Sequence, residues 1–231
     1  MPKTNGTVTE KAIRDVHARL VRRFGPRPWR SDREPILDSL VDTILSQNTS
    51  NVNSNRAFKQ LKAALPDWDV AREAPAKKIE DAIRSGGLAR TKSLRIKAIL
   101  ETIYAQRGET SLEHLRRMRT ARIKEELRSL PGVGPKTAAC VLMFTLKRAD
   151  FPVDTHIHRI ARRLGWMPPH ASAEQTYETL NARVPEKLTY SLHVLLITLG
   201  RKICKSQTPL CLECPLWLVC DYAKELRKKK G

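Results

Sequence analysis

The stretch Leu130-Pro131-Gly132-Val133-Gly134-Pro135-Lys136-Thr137 places two glycines in a tight turn between two helical segments, with a lysine at the start of the second. Glycine lets the backbone turn sharply and approach a partner closely, because no Cβ intervenes. N–H groups at the turn and at the helix start lack intrahelical acceptors and can bind a phosphate. The stretch reads as a phosphate grip with an amine beside it, or as an ordinary helix connector. A free lysine, with a pKa of about 10.4, must lose its proton to act as a nucleophile. The partial positive charge of a helix N-terminus disfavours a further cation, and partial burial acts in the same direction. Lys136 so placed is poised to attack an electrophile such as a sugar C1′. Its alternative role is that of a plain phosphate-binding cation.

Three further groups carry chemistry. Asp154, in Phe151-Pro152-Val153-Asp154-Thr155-His156, precedes a helix and suits its N-cap. A fixed carboxylate there can also stabilise an oxocarbenium-like sugar, and the two roles are compatible. Four cysteines follow the pattern Cys204-x6-Cys211-x2-Cys214-x5-Cys220. Four thiolates this close can hold a cubane iron–sulfur cluster or a tetrahedral zinc. Zinc sites usually pair two short knuckles and only one is present, so the spacing favours [4Fe-4S]; disulfides are disfavoured in a reducing compartment. Finally, Gln47 lies in Ser46-Gln47-Asn48-Thr49-Ser50, and Leu88 in a second glycine turn, Ser85-Gly86-Gly87-Leu88-Ala89-Arg90-Thr91-Lys92. One amide and one apolar side chain of this sort can fill the hole left by an extruded base, although each alone also suits a structural role. The fifth cysteine, Cys140, stands alone on an apolar helix and reads as a core thiol.

These groups need a scaffold, and the 231 residues, 41% hydrophobic, allow one large domain or two small ones. Lys and Arg number 43 against 24 acids, a formal net charge of +19. Such an excess favours a polyanion, because neutralising phosphates releases counterions. No stretch approaches the roughly 20 apolar residues of a spanning helix, and Met1 to Glu10 lacks an apolar signal core. No membrane partner and a soluble, cytoplasmic location (nucleoid-associated in a bacterium) are therefore expected.

Helical spacing recurs along the chain and no convincing period-two alternation is present, so the fold is expected to be all-α with about ten helices. After a frayed tail over residues 1–10, helices are expected at 10–24, 35–46, 51–65, 75–83, 92–104, 111–118, 120–130, 136–147, 155–164, 172–182 and 188–201. The stretch 136–147 is apolar nearly all round and predicts a central buried helix. A basic tail, Arg227, Lys228, Lys229 and Lys230, closes the chain.

In order and separation, Leu130 to Ala138, then Val153-Asp154-Thr155-His156-Ile157, then the cysteine cluster resemble the endonuclease III family of DNA glycosylases, of the helix-hairpin-helix superfamily with a Gly/Pro-rich loop and catalytic aspartate. Leu45 to Thr49 and Gly87-Leu88 fall where that family has its DNA-probing loops, and the resemblance covers roughly residues 10–225. It implies a two-lobed monomer: a six-helix barrel over 33–147, and a cluster domain of 10–32 with 148–231. Double-stranded DNA carrying damaged bases or abasic sites would lie between the lobes, where Lys136 and Asp154 face each other. The resemblance makes Lys136 the nucleophile and Asp154 its assistant. It gives DNA contacts to Gln47, Leu88, Gly132, Val133, Gly134, Thr137 and His156, and cluster ligation to Cys204, Cys211, Cys214 and Cys220. The expected activity is removal of oxidised pyrimidines with a β-elimination nick 3′ to the site. Lys136, and an ending soon after Cys220, separate the chain from the adenine-glycosylase branch. His158 departs from the better-known members, which carry Phe there. Alternatives are a mismatch, uracil or adenine-type glycosylase on the same scaffold, or a non-catalytic DNA-binding iron–sulfur module.

Overall fold

The computed structural model describes residues 8–29 and 33–228. Most of the expected frayed tail (residues 1–7), and Lys229 and Lys230 of the basic tail, lie outside the described residues. All regular structure among them is helical. In chain order the α-helices are α1 (Glu10–Phe24), α2 (Ile36–Leu45), α3 (Asn51–Ala64), α4 (Trp68–Glu73), α5 (Ala76–Ala82), α6 (Ala89–Arg107), α7 (Thr120–Ser129), α8 (Pro135–Phe144), α9 (Thr155–Arg163), α10 (Ala173–Arg183), α11 (Thr189–Lys202) and α12 (Asp221–Lys228). No helix among the described residues is long and apolar enough to cross a membrane.

Two helices escape the sequence pattern. The six-residue α4 is too short to show a period; Asp67 caps it through the Asp69 N–H, and Trp68 and Ala71 are buried. The eight-residue α12 buries only Ala223. The helix expected over 111–118 is a 3-10 turn, Glu113–Arg117.

The chain divides into two compact units, Asp32–Arg148 and Met1–Ser31 with Ala149–Gly231. In the first, α2 has a broad apolar face: Ile36, Leu37, Leu40, Val41, Ile44 and Leu45 are all buried, while Asp38, Asp42 and Thr43 are partly exposed. A face of that breadth must be covered, and α3, α6 and α8 pack against it. Removing a fully buried side chain such as Leu40 would cost about 2–5 kcal/mol. The α7–α8 pair packs together across the glycine turn. On α8, Cys140 is half-buried rather than a core thiol, while Ala139, Val141, Leu142 and Met143 are buried.

The second unit is built on α11, whose Leu192, Leu195, Leu196 and Leu199 are buried. It packs against α1, which contributes Ile13, Val16 and Leu20, and against α9, which contributes Ile157 and Ile160. A reciprocal capping box between Ser172 and Gln175 starts α10.

Candidate active site and cysteine centre

Between α7 and α8 the backbone makes a tight turn in which the Val133 N–H donates to the Leu130 carbonyl at 3.1 Å. Pro131 and Gly132 occupy its centre, and Gly132 has φ +70, the left-handed region that favours glycine at this position. Gly134 then caps α8 and Pro135 opens it. Proline suits that first helical position, where an N–H would be unpaired anyway. Lys136 follows on the first turn and is exposed, so only the helix N-terminus, and not burial, acts on its charge. The N–H groups of Gly134, Lys136 and Thr137 have no acceptor among the described residues, as at any uncovered helix start. They are disposed to take an anion beside the lysine amine.

Two of the residues expected to contact DNA have partners inside the chain. Val133 is a packing residue, buried in the core of its unit, and its N–H is committed to the turn. Thr137 is also buried, and its Oγ1 accepts a hydrogen bond from Gln47 Nε2 at 3.2 Å. The side chain is thus used inside the protein, which leaves its backbone N–H for a ligand.

The Gln47 turn reaches this hairpin. Gln47 accepts from Arg95 Nη1 at 2.9 Å while donating to Thr137, so its amide is held at both ends. Arg95 reaches the hairpin too: a Cβ on Gly132 would lie 2.5 Å from Arg95 Nε. Leu88 is 59% exposed and sits at φ 51, ψ 35 as the N-cap of α6. A left-handed conformation costs a leucine about 1–2 kcal/mol. An exposed apolar side chain in a strained backbone is a combination that folding alone does not favour.

Asp154 is the N-cap of α9, its Oδ1 accepting the Ile157 N–H at 2.8 Å. Two residues on, His156 accepts at Nδ1 from Arg159 Nη2 at 3.1 Å. The ring lies against Gly200 of α11, where a Cβ would approach it to 2.8 Å. Burial lowers the His156 pKa, against the opposing pull of the Asp154 charge; Arg159 and Arg201 lower it further. His158 faces α10, its Nδ1 paired with Thr176 Oγ1 at 2.9 Å. Burial, and then the Arg162 charge, lower its pKa.

The four clustered cysteines are half-buried, unbridged, and line one shared cavity with Ile203, Leu210, Trp217 and Ala223. Among the described residues no three His, Cys, Asp or Glu side chains close on a single ion position. The sulfurs instead surround a common space, an arrangement that fits a cubane in which each thiolate takes a different iron. Burial pushes the Cys214 thiol up to about 11 and raises Cys211 and Cys220 as well. Arg163 Nη1 donates to Cys204 Sγ at 3.3 Å and to the Lys205 carbonyl at 2.7 Å, while its Nη2 donates to Ser206 O at 2.8 Å. Arg159 Nη2 holds the Cys204 carbonyl at 2.6 Å.

Arg95, Arg159 and Arg163, which organise these sites, escape sequence reading. Among 43 basic residues no spacing distinguishes them, and their partners are 41 to 48 positions away.

The family described as HhH-GPD superfamily base excision DNA repair protein matches residues 41–186. The chain is 49% identical over 176 residues to a DNA glycosylase-like protein of Arabidopsis thaliana, covering 76% of this chain and 60% of that protein. It is 34% identical over 219 residues to endonuclease III of Thermotoga maritima, covering 95% and 96% of the two chains. The solved structure of a trapped endonuclease III–DNA covalent intermediate matches with a TM-score of 0.81 at 27% identity, over 96% of this chain and 100% of that one. With hairpin, lysine, aspartate and cysteine centre in place, the chain belongs to the HhH-GPD superfamily of base excision DNA repair proteins, in its endonuclease III group of DNA glycosylase/lyases.

Proposed function

We propose that the chain is a bifunctional base-excision enzyme that removes oxidised pyrimidines from duplex DNA and cleaves the resulting abasic site. The observation that carries this reading is the exposed Lys136 beside the unpaired N–H groups of Gly134 and Thr137, which offers a nucleophile and a phosphate seat at one helix start. The similar endonuclease III was trapped in covalent complex with DNA, which supports a covalent route.

In that route the uncharged Lys136 amine attacks C1′ and the C1′–base bond breaks, the base leaving with the bonding pair. Loss of the amine's proton and opening of the sugar ring give a Schiff base. Removal of a C2′ proton then expels the 3′ phosphate by β-elimination, leaving a nick. Asp154, whose cap bond uses Oδ1, assists base departure and Lys136 activation with its fixed negative charge. Gln47 and Leu88 fill the space the extruded nucleotide leaves. Cys204, Cys211, Cys214 and Cys220 would hold a [4Fe-4S] cluster, which supplies a structural anchor for the loop between them.

Borohydride treatment on abasic duplex should yield a covalent protein–DNA adduct, and Lys136→Gln should abolish it; an undiminished adduct would remove Lys136 from its role. Duplexes carrying thymine glycol, uracil, or 8-oxoguanine opposite adenine separate the base preferences. No cleavage on any of them, by protein with iron and sulfide near four each per chain, would favour a non-catalytic DNA-binding module.

A further inference from the structure

Lys92 is the one charged side chain classed as buried among the described residues of the Asp32–Arg148 unit, at 3% exposure. No carboxylate among the described residues meets it. Its Nζ donates to the Leu45 carbonyl at 2.8 Å and to the Gly86 carbonyl at 2.9 Å. A buried amine in an apolar core is costly, so the two acceptors are what make the placement tenable. Burial, and then the Arg95 charge, lower its pKa from the ordinary lysine value.

The two acceptors have matching positions. Leu45 ends α2 two residues before Gln47, and Gly86 lies two residues before Leu88. Each loop then carries a non-glycine residue in left-handed backbone, Asn48 at φ 53 and Leu88 at φ 51. One buried amine therefore joins two segments 41 residues apart in sequence, each just upstream of a residue assigned to fill the gap in the duplex. On the other side, Arg95 and Thr137 hold the Gln47 amide.

We propose that Lys92 is a positioning residue that ties the Gln47 loop to the Leu88 turn, so that the two side chains enter the duplex at a fixed spacing. This rests on the roles proposed above for Gln47 and Leu88. Lys92 touches no substrate; it acts through the backbone of both loops.

The test uses the full chain with Lys92→Met, Leu88→Ala and their combination. Single-turnover excision of thymine glycol from duplex DNA should fall about ten- to a hundredfold in Lys92→Met, the scale expected for a small misplacement. Cleavage of a pre-formed abasic duplex should stay within about threefold, because there is no base left to extrude. If Lys92 acts through Leu88, the double variant should excise no more than about threefold more slowly than Lys92→Met alone. Backbone amide exchange should rise in residues 45–50 and 85–89 together and stay unchanged in α10. Exchange that rises in one loop or in neither, additive rate losses, or equal loss on both DNAs would overturn the proposal. Wild-type protein inactive on both DNAs would instead remove the proposed function, with exchange alone deciding the loop coupling. Lys92→Gln, which keeps an amide donor for one carbonyl, should fall between the two and serves if Lys92→Met does not fold.

Discussion

Gly132→Ala probes the hairpin and the Gln47 network at once. At φ +70 an alanine carries a left-handed backbone cost of about 1–2 kcal/mol. Its Cβ would lie 2.5 Å from Arg95 Nε and 2.9 Å from Cδ, closer than any real Cβ contact, so the guanidinium must move. That movement gives up the 2.9 Å bond from Arg95 to Gln47. A hydrogen bond from a charged donor contributes about 1.5–3 kcal/mol, and for this half-buried arginine the lower end applies. The expected destabilisation is therefore about 3 kcal/mol, read as a shift of the urea midpoint followed by far-ultraviolet circular dichroism. In an Arg95→Ala background the clash and the bond are both gone, and the same change should cost only the backbone part, about 1–2 kcal/mol. Equal costs in the two backgrounds, or none in the wild type, would refute the reasoning.

Other perturbations separate roles that coincide in one residue. Asp154→Asn keeps a capping oxygen and should leave stability within about 0.5 kcal/mol, whereas Asp154→Ala should cost about 1 kcal/mol. Both should slow excision by about a hundred- to a thousandfold in single-turnover assays, because both remove the charge. Leu88→Gly relieves the left-handed strain and should raise stability by up to about 1 kcal/mol in urea titration, while slowing excision. His17, His156 and His158 all have pKa values lowered by burial. Well above the unfolded value of about 6.5 they are neutral in both states and contribute nothing; as the pH falls through it the unfolded chain takes up protons that the folded one resists, so stability falls. The melting temperature should therefore drop between pH about 7.5 and 5.5, and less so in His158→Gln.

The readable parts of this protein are those written locally. The glycine turn with Lys136, the Asp154 cap and the cysteine spacing each span a few residues, and their types state their chemistry without the fold. Helices α1, α2 and α11 were legible because a full apolar face recurs over three or more turns. What stayed hidden depends on long-range contact or on direction. Thr137 and Val133 stand in the motif, yet that both are buried shows only once α8 packs against α2 and α7. Lys92 looks like any other surface lysine until its partners, 47 and 6 residues away, are brought to it. Leu88 drew notice as an apolar residue in a polar turn, but its strained backbone is visible only in three dimensions.

Helix α9 has one further property. Asp154 sits at its start, and Arg159 and Arg163, about one and a half and two and a half turns on, grip the loop that carries Cys204. Along a helix each residue advances about 1.5 Å and turns about 100°. A single insertion or deletion between Ile157 and Arg159 would thus turn Asp154 and its cap by about 100° relative to the two arginines and the loop they grip. The interval can change its side chains but not its length. Length variation in this unit is expected instead at the exposed Pro168-Pro169-His170, where no such pair of contacts is spanned.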